Sequence, residues 1–165
     1  MQVKVTYVEM LSRPAKVITP PRDRLRVVRL ECPTVAEYRR LYTAVGKDWN
    51  WLSRRKMSDE NLAKIITDAA NEIHVLLVDE VEAGFVELDR RSPPEIEITQ
   101  FGLTPAFIGK GLGAWFLQWS IDRAWSYSPT RLWLHTCTLD HPRALPNYLR
   151  AGFTIYKEEI IERDL

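Results

Sequence analysis

Three glycines at alternate positions, Gly109, Gly111 and Gly113, separate two very different runs of this chain. Before them, Glu95 to Leu103 alternates charged with apolar residues and then loses its polarity, the pattern of a strand. After them comes Ala114-Trp115-Phe116-Leu117-Gln118-Trp119, which opens a long apolar helix reaching to about Trp125. A glycine turn from strand to helix presents bare backbone N–H groups at a helix N-terminus, where partial positive charge favours an anion, most often a phosphate. Glycine lets such a loop turn sharply and lets a ligand approach with no Cβ in the way. A glycine loop can equally be a plain tight turn, so the rest of the chain has to decide.

A chain of 165 residues reads as a single domain over 1–165, with 1–20 as an additional N-terminal strand and loop. A net charge of +1 gives no electrostatic case for nucleic acid or an anionic membrane surface. No apolar run approaches the ~20 residues that span a bilayer, and Met1-Gln2-Val3-Lys4-Val5 lacks the apolar centre of a signal peptide. Cys32 and Cys137 are too few for a disulfide framework or a zinc cluster, so the expectation is reduced thiols in a cytoplasmic protein with no metal.

In chain order, Val3 to Leu11 and Leu25 to Leu30 are strand candidates, joined by a proline-rich loop. Thr34 is an N-cap for a helix whose apolar residues Val35, Tyr38, Leu41, Tyr42 and Val45 recur at helical spacing before Gly46. Lys47 to Met57 reads as a loop containing Trp49, Trp51 and Arg54-Arg55-Lys56. Ser58 caps a second helix with the stripe Leu62, Ile65, Ile66, Ala69, Ala70. Glu72 to Val78, Ala83 to Leu88 and Glu95 to Leu103 are three successive strands. Arg131 to Thr136 is another strand. A turn at 142–145, a short helix Pro146 to Ala151 capped by Gly152, and a last strand Phe153 to Ile161 complete the pattern.

This order, with the motif residues in place, resembles the GNAT superfamily of acetyl-CoA-dependent N-acetyltransferases over roughly Leu25 to Ile161. Gly111 and Gly113 fill the glycine positions of the family's first signature, with Lys110 as the usual basic neighbour, while Ile108 stands where Gln or Arg is customary. Ala144, Tyr148, Gly152 and Phe153 match the second signature, with His141 in place of its Asn and Asn147 nearby. The resemblance implies an α/β (α+β) GNAT fold: a mixed central sheet with splayed fourth and fifth family strands, flanked by helices, plus an extra N-terminal strand. It also implies acetyl-CoA lying in the splay. The pantetheine would pair with the backbone of Phe101, Gly102 and Leu103 like an added strand. The pyrophosphate would sit on the N–H groups of Gly109, Lys110, Gly111, Leu112, Gly113 and Ala114, with Asn147 beside it.

Direct transfer to an amine needs a neutral nucleophile and a protonated leaving thiolate. The family uses a strand carboxylate as base, and Glu97 matches that position. The alternation that selects Glu97 also fits a solvent-facing carboxylate like Glu95. Tyr148 takes the family's place for the phenol that protonates the thiolate. Trp49 and Trp51 offer cation–π surface to an amine acceptor and equally serve as lids on the core. His135 and His141 leave the end of the fifth family strand and are candidates for acceptor contact or proton relay. The partner expected is a small-molecule or peptide amine; dimerisation is common in the family, and nothing in the sequence fixes it.

Two other functions fit parts of the pattern. Ile108 and His141 suit a catalytically silent acyl-CoA-binding module, and His135, Cys137, Asp140 and His141 invite a thiol or zinc hydrolase, although their spacing matches neither well. Twelve residues follow Phe153, room for one strand where family members commonly have two. Val3 to Leu11 is therefore expected to take a further sheet position, at an edge or beside the C-terminal strand.

Overall fold

The computed structural model describes residues 1–164. Seven strands form one mixed sheet in the order β2-β3-β4-β5-β6-β1-β7. They are β1 Gln2–Met10, β2 Leu25–Leu30, β3 Asn71–Val78, β4 Val81–Asp89, β5 Glu95–Leu103, β6 Arg131–Cys137 and β7 Thr154–Glu162. Five helices accompany them: α1 Val35–Gly46, α2 Ser53–Lys56, α3 Asp59–Ile66, α4 Leu112–Trp125 and α5 Ala144–Ala151. The N-terminal strand pairs on both sides, with Tyr7 opposite His135 of β6 and opposite Lys157 of β7, antiparallel each time. It therefore lies beside the C-terminal strand and inside the sheet, and β7 forms the edge.

The sheet is sandwiched between two apolar layers. On one face α4 and α5 pack Phe116, Leu117, Ile121 and Tyr148 against Val8, Ile96, Ile98 and Leu134. On the other, α1 and α3 pack Tyr38, Leu41, Leu62 and Ile66 against Ile73, Val75 and Phe85. The cap of α1 is a reciprocal box: Thr34 accepts from the Glu37 amide at 3.1 Å while the Glu37 carboxylate takes the Thr34 N–H. Ser58 accepts the Asn61 amide at the start of α3.

Three local expectations are corrected. The segment Lys47 to Met57 is not all loop. It holds a 3-10 turn, Lys47–Trp49, and then α2. What orders α2 is a buried polar network that pattern reading does not register. Arg54 donates to Glu87 at 2.8 Å, and Tyr38 and Asn71 donate to the same fully buried carboxylate. Second, α3 stops at Ile66, leaving Ala69 and Ala70 in the turn before β3. There Asp68 takes the Ala70 amide, a local bond that competes with continuing the helix. Third, α5 begins at Ala144, two residues before Pro146. Pro146 is third in the helix, where an N–H would have no intrahelical acceptor, so its missing donor costs nothing there.

One irregularity sets up the cleft. Opposite β4, Ile98 pairs with Leu88 and Gln100 with Glu87, which leaves Thr99 as an extra residue, a bulge. It shifts the alternation of β5, so Phe101 and Leu103 follow Ile96 and Ile98 onto the α4 side. Gly102 is turned towards Val45 and Trp51 on the other.

Candidate functional site

β5 and β6 run parallel and pair only from Glu95–Arg131 to Glu97–Trp133. Beyond those rungs they diverge, and a cavity of about 660 Å³ opens between them. Its wall includes Phe101, Gly102 and Leu103 on β5, the loop residues Ile108, Gly109 and Gly111, and Gly113 and Ala114 at the head of α4. Opposite stand His135 and Cys137 on β6 and Asn147 and Tyr148 on α5. The expected pantetheine, loop and phenol positions thus meet in one cavity, although Phe101 and Tyr148 are far apart in sequence.

Gly109 and Gly111 have φ of +81° and +78°, the left-handed region in which a side chain is strained. Gly111 is the N-cap of α4, so the next N–H groups have no acceptor within the helix. Lys110 and Leu112 are not in the wall: the Leu112 side chain is buried in the core, and Lys110 is exposed. Arg143 was not anticipated. A Cβ built on Gly109 would come within 3.7 Å of its guanidinium, which sets a cation beside the loop where Ile108 offers none. Arg143, the N-cap of α5, and Asn147 and Arg150 within it all line the cavity, and their i, i+4, i+7 spacing sets them along one stripe. That spacing was legible beside Tyr148 in the sequence.

Tyr148 is 7 % exposed, and its ring packs edge-on to Phe101 and Phe153. Burial, and secondarily the Asp140 charge, push its pKa well above that of a free phenol. Asp140 itself is held by the Thr136 hydroxyl and, at 2.9 Å, by the Cys137 amide, closing the turn after β6. His141 accepts the Arg143 amide through Nδ1 at 3.0 Å, and its ring meets Trp49 at 4.7 Å between centroids. Trp49 therefore reaches across the cavity mouth. Trp51 lies deeper, packed on Tyr42, Phe85 and Gly102, and is at once wall and core.

Glu97 sits just outside the wall, with Oε2 3.9 Å from Nε2 of His135. Burial first, then the nearby Asp89 and Glu87 charges, raise its pKa to about 7. His135 is shifted the other way, downward, chiefly by desolvation. Its ring lies 5.5 Å from that of Tyr7, whose hydroxyl donates to Glu159 at 2.5 Å. This bond pushes Tyr7 up to about 12 and holds Glu159 below the usual carboxylate range. Tyr7, Glu159 and Arg163 all line the cavity. Sequence reasoning missed them because they arrive on β1, on β7 and just past the end of β7, strands that only long-range pairing brings beside β6. Among the described residues no group of three or more His, Cys, Asp or Glu could hold a metal, and no helix is long and apolar enough to cross a membrane.

Residues 38–153 match the model of the Acetyltransferase (GNAT) family. No curated protein matches the chain. Among solved structures it resembles a functionally unknown conserved protein from Staphylococcus epidermidis, with a TM-score of 0.67 and 17 % identity over 97 % of this chain. The chain spans 60 % of that protein's length. An IAA acetyltransferase from Bacillus cereus is 18 % identical, with a TM-score of 0.59, over 81 % of this chain and 79 % of the other. An aminoglycoside acetyltransferase from an uncultured soil metagenomic sample, in complex with sisomicin, is 12 % identical, with a TM-score of 0.61, over 79 % and 88 %. At these identities the likeness is one of fold.

Proposed function

The chain belongs to the GNAT acetyltransferase family, and on that premise we propose that it transfers the acetyl group of acetyl-CoA to a primary amine by direct attack. The observation that carries this reading is the meeting of the left-handed glycine loop, the splayed strands and Tyr148 in one cavity. The cradle suits a pyrophosphate: Gly109 and Gly111 leave it without side chains, the head of α4 has free N–H groups, and Arg143 adds charge. Backbone of Phe101 to Leu103 is free on the splayed side to pair with an amide-bearing arm. Bound there, acetyl-CoA supplies a thioester whose carbonyl an amine attacks and whose sulfur leaves.

The chain's residues manage the protons. Glu97, raised to about 7 and outside the wall, takes the proton of the acceptor ammonium through His135, which lines the cavity and which its lowered pKa keeps neutral and able to accept. Tyr148 is held in its protonated form by burial, the form from which it gives its proton to the sulfur. Trp49 covers the mouth, and Trp51 forms the acceptor-side wall.

Thiol release measured against a panel of amines and peptides tests the reading. Tyr148→Phe is expected to lower turnover by about 10²–10⁴-fold, the usual contribution of a positioned acid, with acetyl-CoA affinity nearly intact. Wild-type turnover in that variant removes Tyr148 from the mechanism. Acetyl-CoA binding with no turnover on any acceptor assigns the chain instead as a silent acyl-CoA-binding module.

A further inference from the structure

The acceptor end of the cavity has two poles of opposite charge. One is acidic: Glu159, which accepts from the Tyr7 hydroxyl and pairs with Lys157 at 3.5 Å, and, behind His135, Glu97. The other is Arg163, which lines the same cavity from the end of β7. Its Nη1 donates to the Cys137 sulfur and its Nη2 to the Asn50 carbonyl, each at 3.4 Å. A thiol is a weak, uncharged acceptor and the carbonyl contact is long, so neither meets the demand of a guanidinium. No carboxylate among the described residues lies within 4.0 Å of it, in contrast to Arg131 and Arg54, which are both paired. Cys137 follows His135 by two residues on the same face of β6, ~7 Å along the strand, so the guanidinium at the Cys137 sulfur and the imidazole border the same end of the cavity.

Resting on the transferase reading, we propose that the acceptor carries a carboxylate a few bonds from its reacting nitrogen, and that Arg163 binds it. The substrate class is a small amino carboxylate such as an α-amino acid. The scale suits it: His135 and Cys137 are ~7 Å apart along the strand, a span that one small molecule carrying both an amine and a carboxylate reaches across. A guanidinium fork matches a carboxylate with two parallel N–H bonds. A polycationic acceptor, by contrast, would bring like charge onto Arg163 in a partly desolvated site.

The test has three parts. Acetyl-CoA binding is measured by calorimetry on the wild type and on Arg163→Met and Arg163→Lys. Thiol release is then followed with the α-amino acids, and with the matched α-amide of each one that is turned over. The wild type is expected to prefer acid over amide by about 10- to 100-fold in kcat/KM, the range of a charge-assisted hydrogen bond. In Arg163→Met that preference is expected to fall to near unity, mainly through KM, with acetyl-CoA affinity unchanged; Arg163→Lys keeps part of it. A residue that only clamps β7 to the Asn50 loop would not alter acid–amide discrimination. Equal turnover of acids and amides overturns the proposal, and so does acetylation of other amines with no amino acid accepted, or a preference that survives in Arg163→Met. The acid–amide comparison on the wild type depends on no variant folding. Failure of the wild type to bind acetyl-CoA brings down the transferase reading itself, and this inference with it.

Discussion

A carboxyl group whose pKa is held near 7 inside a sheet should cost the fold something, and Glu97→Gln measures that cost. Burial and the charges of Asp89 and Glu87 raise the Glu97 carboxyl from 4.5 to about 7. In the unfolded chain it ionises near its ordinary value. Below pH 4.5 the residue is protonated in both states and adds no pH dependence. Between 4.5 and 7 the unfolded state loses the proton while the folded state keeps it, so the folded protein loses stability as pH rises; above 7 the loss is constant. At about 1.4 kcal/mol per pH unit, the interval amounts to ~3 kcal/mol. Glutamine keeps the shape and cannot ionise. Glu97→Gln should therefore gain ~3 kcal/mol over wild type between pH 4.5 and pH 8, or roughly 6–12 °C in Tm for a domain of this size. Urea unfolding of both proteins across that range gives the difference directly, since every other titrating group is common to both. If Glu97 is the base proposed above, the variant loses acetyl transfer as well. A stability difference that does not change with pH, or a variant less stable than wild type at pH 8, would refute the reasoning.

Two further perturbations address the cradle and the acceptor-side scaffold. Gly111→Val forces a branched side chain into φ +78° with Pro21 3.4 Å from its Cβ, and is expected to weaken acetyl-CoA binding at least ~10-fold by calorimetry, whereas Ile108→Ala changes it less than ~3-fold. Equal effects would mean that the grip is not backbone. Arg54→Met leaves the fully buried Glu87 carboxylate without its main counter-charge and should destabilise the fold by about 3–5 kcal/mol in urea unfolding. A loss under ~1 kcal/mol would show that Tyr38 and Asn71 suffice.

Much of the architecture was legible because it is written in local periodicity. The alternation of β5, the apolar stripe of α4 and the caps Thr34 and Ser58 each follow from neighbours a few residues apart. The misread stretches are those where a distant partner wins. Arg54 in α2 is ordered by Glu87, 33 residues away, which no window along the sequence detects. Pro146 was read as a helix boundary from a rule about its neighbour, whereas its place in the first turn made it harmless.

The sequence by itself determined the glycine loop opening a helix, the tyrosine on the following short helix, and through them the resemblance to GNAT enzymes, because backbone freedom and helical spacing are properties of neighbouring residues. The end of the cavity lined by Tyr7, Glu159 and Arg163 was decided by tertiary structure alone. β1 threads between β6 and β7 and carries Tyr7 to Glu159, 152 residues apart, while β7 brings Arg163 to Cys137. Strand pairing of that range depends on which edges find each other in the folded sheet, and the charge pattern at that end of the cavity comes into being only when they do.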